Sequence, residues 1–165
     1  MQQLLIIRHA IAHERDSKRW KNDDHRPLTA KGKTKFRAIA RKMRRFTGTP
    51  DLLLTSELKR AVQTARILSK EAGYPEARQL KEARPEIATR RLIASLSTLR
   101  EPYVALVGHE PSLSALASTL LTQSSRAVHI ELKKGGIVLL MFPRRIKAGK
   151  ARLLAFCPPS CFLDR

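Results

Sequence analysis

Residues 51–73 read DLLLTSELKRAVQTARILSKEAG. The first six form a short apolar run that passes without a linker into a helical pattern. Leu58, Ala61, Val62, Ala65, Leu68 and Ala72 recur at helical spacing, and Gly73 supplies a C-terminal stop. A buried strand feeding a helix directly is half of a strand–helix–strand unit. The same pattern continues on both sides. LLII (4–7) predicts a strand, and RPLTAKGKTKFRAIARKMRRF (26–46) a helix capped by Thr29, with Phe36, Ile39, Ala40 and Met43 on its inner face. Downstream, EARQL (76–80) predicts a weaker strand, PEIATRRLIASLSTL (85–99) a helix with Pro85 at its first position, and YVALV (103–107) a buried strand. A helix then opens at Pro111, facing inward through Leu113, Leu116, Ala117 and Leu120; GGIVLLMF (135–142) and ARLLAFC (151–157) close the chain as strands. The expectation is one domain over residues 1–165: a three-layer α/β/α fold whose central sheet is mostly parallel, with an antiparallel edge.

The composition narrows the class. A length of 165 residues and a 42% hydrophobic content suffice for a real core and exclude intrinsic disorder. The opening apolar run is too short for a signal peptide, and nothing approaches the ~18 apolar residues of a membrane span. A cytoplasmic protein without a membrane partner is therefore expected. Cys157 and Cys161 lack a second ligand pair, so no metal is expected, and they read as reduced thiols. The charge is the unusual feature: 33 Lys and Arg against 14 Asp and Glu, a formal +19. Residues 15–45 alone carry 13 basic and three acidic residues. Such a surface attracts polyanions, so non-specific polyanion binding is expected and a nucleic-acid-binding module stands as a rival function. Against it, aromatics are only 5%, with no stacking platform, helix-turn-helix or zinc-finger pattern.

In a parallel α/β sheet, ligands bind beyond the carboxyl ends of the strands. The first strand delivers Arg8 and His9 there, the second Thr55 and Ser56 with Arg60 one helical turn on, and the fourth Gly108 and His109. Any one of these is compatible with a loop or structural role; their shared address points to a phosphoryl site. Arginine forks match phosphate oxygens, and Ser56 and Arg60 at a helix start add free N–H groups. A neutral histidine can attack phosphorus, and a second can donate to the transferring oxygens. His13, His25 and His129 fit no strand-end pattern.

The segments LIIRHA, TSELKRAVQTA and VGHEPSL resemble, in order and spacing, the histidine phosphatase superfamily, whose signature is Arg-His-Gly at the end of the first strand. RPLTAKG is similar to the small bacterial branch of SixA-like phosphohistidine phosphatases, and the match spans about residues 3–120. The resemblance implies a fold like that of phosphoglycerate mutase and a two-step reaction. His9 would take the phosphoryl group as a phosphohistidine that water hydrolyses; Arg8, Arg60 and His109 would complete the pocket, without a metal or organic cofactor. This chain departs from the signature at Ala10, where the family has Gly. Glu82, in QLKEARPE, sits near the place of the carboxylic acid that protonates the leaving oxygen in related mutases and sugar-phosphate enzymes. Its alternative reading is a surface carboxylate paired with a neighbouring Arg.

The stretches after strands one, three and four are short or polar, leaving little material for a lid. An open pocket suits a phosphorylated protein, such as a histidine phosphotransfer protein in signal transduction, steered in by the basic surface. The alternatives are a phosphomonoesterase or a polyphosphate hydrolase.

Overall fold

The computed structural model describes residues 1–163. Six strands form one sheet: β1 (Gln2–Arg8), β2 (Leu52–Thr55), β3 (Arg78–Gln79), β4 (Tyr103–Gly108), β5 (Ile137–Phe142) and β6 (Arg152–Cys157), in the order β3-β2-β4-β1-β5-β6. The first four are mutually parallel; β5 pairs antiparallel with β1, and β6 with β5. The expected parallel sheet with an antiparallel edge is what the chain forms.

Four helices cover the sheet: α1 (Ala30–Thr47), α2 (Lys59–Ala72), α3 (Thr89–Ser97) and α4 (Ser112–Thr122). Burial on both faces explains why the strands read as continuous apolar runs rather than alternating ones. Leu5 and Ile7 of β1 pack with Phe36, Ile39 and Met43 of α1 and Ala61, Ala65 and Leu68 of α2. Leu4 and Ile6 point the other way, toward Leu92 and Leu96 of α3 and Leu113, Leu116 and Leu120 of α4. Each fully buried Leu, Ile or Phe contributes about 1.5–3 kcal/mol relative to exposure, so β1 is held firmly from both sides.

Local signals set most element ends. The Thr29 side chain accepts from Gly32 N at 2.8 Å and starts α1. Gly73 closes α2 in the left-handed region, at φ 66°. Three expectations need correction. The helix expected from Pro85 begins at Thr89, because Arg84 is extended ahead of the proline and Ile87 N donates to Arg84 O in a turn. The strand expected over 76–80 is only Arg78–Gln79, after which the chain tightens into a 3-10 turn at Lys81–Ala83. The helix after β2 starts at Lys59 rather than Glu57, leaving Ser56 in the preceding bend.

The polar, charged loop after β1 runs on past Arg26, where the helical stretch was expected to open, and residues 13–27 are closed at their base by a bridge between Ala12 and Leu28. A 3-10 turn at Asp23–His25, capped by Asn22, folds the loop back toward the sheet.

Candidate active site

Strand register creates the site. Arg8 of β1 lies opposite Gly108 of β4, so His9 and His109, each the next residue, leave neighbouring parallel strands side by side. His9 N donates to Gly108 O at 3.1 Å, and the two imidazole centroids are 5.1 Å apart. On the other flank, Ser56 N donates to Val107 O at 3.0 Å, which brings the start of α2 to the same edge.

The His9 ring is oriented by the backbone carbonyl of the next residue. Its Nδ1 lies 2.7 Å from Ala10 O, and a carbonyl can only accept, so Nδ1 carries the proton and the lone pair resides on Nε2. Burial, with the charges of Arg60, Arg8 and Lys134, pushes the His9 pKa down to about 3 against the help of that hydrogen bond. The ring is neutral at physiological pH and presents a nucleophilic nitrogen. His109 is depressed further, by burial and then by His9 and Arg60.

Ala10 fits without strain: Gln123 is the one non-glycine residue with positive φ among those described, so position 10 does not need glycine's freedom. Its N–H donates to Thr64 Oγ1 at 3.0 Å, and that hydroxyl donates to Arg60 O at 2.7 Å. Gln63 Oε1 accepts from Leu28 N at 2.8 Å. Arg60, Gln63 and Thr64, at i, i+3 and i+4 on α2, thus bind the loop after β1 to the helix. Gly32 permits the same closeness from α1: a Cβ there would lie 2.1 Å from Ile11 O.

Both arginines are anchored through their terminal nitrogens. Arg8 Nη1 donates to Leu132 O at 2.8 Å; Arg60 Nη1 donates to Asp23 O at 2.9 Å, and its Nη2 pairs with the Asp23 carboxylate at 3.1 Å. Arg8 Nε, Arg60 Nε and both ring nitrogens of His109 are buried with no hydrogen-bond partner among the described residues. Leaving such groups unmatched costs on the order of 1–3 kcal/mol each, a price paid at places built to receive something. Two guanidinium donors beside two imidazoles suit a tetrahedral oxyanion.

The two remaining candidates sit differently. Ser56 is fully buried, and its Oγ accepts from Leu58 N at 3.4 Å, so its hydroxyl serves the bend before α2. Glu82 is half-buried in the turn after β3, without an ion pair or hydrogen bond among the described residues; its pairing with a nearby arginine is not found. Arg84 instead binds Asp24 at 2.9 Å, Glu57 at 3.6 Å and Glu86.

The structure adds residues that the motifs did not reveal. Asp23 joins Arg60 to Arg26, whose Nε lies 2.7 Å from its carboxylate, and the Arg26 hydrogen bond, foremost, holds its pKa down near 2. Only the spacing of Asp23 and Arg26, three apart with Arg26 opening RPLT, hinted at this; nothing local links Asp23 to Arg60, 37 residues away. Glu110 lines a cleft of about 540 Å³ with Arg8 and Ser114, and burial raises its carboxyl pKa. Cys157 is half-buried and Cys161 exposed, both free. No group of three or more His, Cys, Asp or Glu able to hold a metal occurs among the described residues, and no helix there is long and apolar enough to cross a membrane.

Residues 4–87 match the family model of the histidine phosphatase superfamily, branch 1. An uncharacterized protein of Picosynechococcus is 30% identical over 164 residues, covering 98% of this chain and 94% of that one. In fold, the chain is similar to the protein histidine phosphatase SixA solved with tungstate (TM-score 0.85, 21% identity, 98% and 100% of the two chains covered). It is also similar to a phosphoserine phosphatase of Entamoeba histolytica (TM-score 0.70, 16% identity, 99% and 100% covered).

Proposed function

The chain belongs to the histidine phosphatase superfamily and is a phosphatase, and on that premise we propose that it hydrolyses phosphohistidine on proteins through a covalent intermediate on His9. The observation that carries this reading is the His9 ring: neutral, with Nδ1–H tied to Ala10 O and Nε2 free, among buried guanidinium donors. In the first step Nε2 attacks phosphorus. An N–P bond forms at His9 as the P–N bond to the substrate imidazole breaks. Arg8, Arg60 and His109 hold the equatorial oxygens, stabilising charge where it builds. The departing imidazole nitrogen takes a proton, for which Glu82 is the proposed donor, supported by its place after β3 and its lack of an ion pair among the described residues. In the second step water attacks phosphorus, the His9 N–P bond breaks, phosphate leaves, and Glu82 accepts the proton that water gives up.

The reading as a protein phosphatase is supported by the likeness of the fold to the protein histidine phosphatase SixA. The loop of residues 13–27 walls one side through Asp23 and makes the pocket less open than its length suggested. The decisive assay follows phosphate release from a phosphohistidine peptide, phosphoserine and polyphosphate by the wild type and His9→Ala. Release from phosphohistidine that vanishes with His9 is expected. Preference for an ester or for polyphosphate would assign the substrate elsewhere while keeping the pocket; release unaffected by His9→Ala would refute the mechanism.

A further inference from the structure

Charge is divided unequally between the two ends of the sheet. Asp23, Asp24, Glu57, Glu82 and Glu110 all follow strand ends at the catalytic edge, where the first three pair with Arg60 or Arg84. The opposite end carries Asp51 and Glu101, but their carboxylates accept from the backbone N–H groups of Tyr103 and Arg100 and pair with no cation among the described residues. Phe142 of β5 pairs with Gln2, the first residue of β1, so the β5–β6 connection lies at the far end of β1 from Arg8, about 20 Å away at ~3.3 Å per residue. That connection reads PRRIKAGKA (143–151).

Its shape is fixed from within. Ile146 is fully buried and its N–H donates to Gln2 Oε1 at 2.8 Å; Gln2 Nε2 donates to Glu101 O at 2.9 Å, and Arg145 Nη1 to Leu99 O at 3.0 Å. These bonds gather Arg100, Arg144, Arg145, Lys147, Lys150 and Arg152 on one surface, all exposed. None forms an ion pair among the described residues. Directly after Arg152, on the edge strand, Leu153 and Leu154 are 51% and 47% exposed. Six cations without an ion-pair partner among the described residues, set against the single carboxylate of Glu101 and beside two exposed leucines, form a net basic, amphiphilic face remote from the pocket.

We propose that this end of the domain docks on an anionic lipid bilayer. The cations lie in the headgroup layer, where each contributes through the negative surface potential, and Leu153 and Leu154 reach the acyl boundary. The catalytic edge then faces solution, open to a phosphorylated protein. Adjoining leucines favour a lipid surface over nucleic acid, whose phosphate backbone offers them nothing, and the exposed aromatic of this strand, Phe156, lies four residues beyond Arg152 toward the other end of β6. Hydropathy along the chain misses such a face because it detects spans, whereas this one is assembled from residues 100 and 144–154 by folding.

The test is co-sedimentation with vesicles of phosphatidylcholine alone or with about 30 mol% phosphatidylglycerol, at about 0.1 M salt. Binding is expected only to the anionic vesicles. Replacing Arg144, Lys147 and Lys150 together by Gln should lower partitioning on the order of a hundredfold. The same charge change on α1, with Lys31, Lys33 and Lys35 replaced by Gln, should have a far smaller effect. Leu153→Ser with Leu154→Ser should weaken binding about tenfold or more. Phosphate release in solution should be unchanged in all three variants. No preference for anionic vesicles, or an equal loss from both triple variants, would overturn the proposal. So would a leucine variant that binds vesicles normally while an oligonucleotide binds through the hairpin cations.

Discussion

Replacement of His109 by Gln tests whether the two histidines are held neutral inside the fold. Both are nearly inaccessible, with pKa values pushed down chiefly by burial, His9 to about 3. In the unfolded chain a histidine titrates near 6.5. Between those values the unfolded state binds more protons than the native state, so stability falls as pH falls below 6.5 and is fully present above it. At pH 5 the unfolded chain gains RT ln(1 + 10^1.5), about 2 kcal/mol per buried histidine, whatever the native value so long as it is well below 5. His9 and His109 together therefore withdraw about 4 kcal/mol between pH 8 and pH 5, and His109→Gln withdraws only about 2. Urea unfolding in phosphate-free buffer reads this directly. With a slope of about 2 kcal/mol/M, the midpoint should drop about 1 M less between the two pH values in the variant than in wild type. Every other group is common to the two proteins, and its contribution cancels. Identical pH dependence in the two would mean that His109 protonates normally in the native state, and the buried neutral pair would be refuted.

The other expectations follow from individual contacts. Arg60→Ala should cut kcat/KM by about 100-fold or more, as expected for loss of an oxyanion donor, and weaken competitive inhibition by phosphate; unchanged activity would exclude the pocket. Glu82→Gln should slow ester hydrolysis by about 100-fold or more but phosphohistidine hydrolysis much less, since the labile P–N bond needs less acid help; equal losses would remove Glu82 as proton donor. Gly32→Ala must push Ile11 and Ala10 away from α1, so a loss of about 1–3 kcal/mol in urea unfolding is expected together with reduced turnover; wild-type stability would contradict the close approach. Because His9 in the free enzyme stays unprotonated down to about pH 3, any acid limb in kcat/KM should follow the phosphoryl ionisation of the substrate, and changing to a substrate with a different phosphoryl pKa should move it.

The local signals carried much of this protein. Apolar runs buried on both faces, the Thr29 cap and the Gly73 stop are short-range features, and they set every strand but the short β3, the start of α1, the end of α2 and the parallel sheet. Arg8, His9 and His109 were legible because parallel strands deliver their last residues to one edge. Pro85 misled because it occupies a turn before α3, and a proline-first pattern suits either position. Ser56 was a fair sequence candidate whose hydroxyl, once folded, is taken by Leu58 N.

What sequence determined by itself was thus the fold and which residues meet at the carboxyl edge of the sheet, since both depend on periodicity and order along the chain. Only the tertiary structure decided how those residues are tuned. The Asp23 hold on Arg60, the Thr64 link between Ala10 and α2, the desolvation of both imidazoles and the basic end built on Gln2 all join segments far apart in sequence. Charges, hydrogen bonds and water exclusion act over a few ångströms of space, and no pattern along a chain records which distant residues will share them.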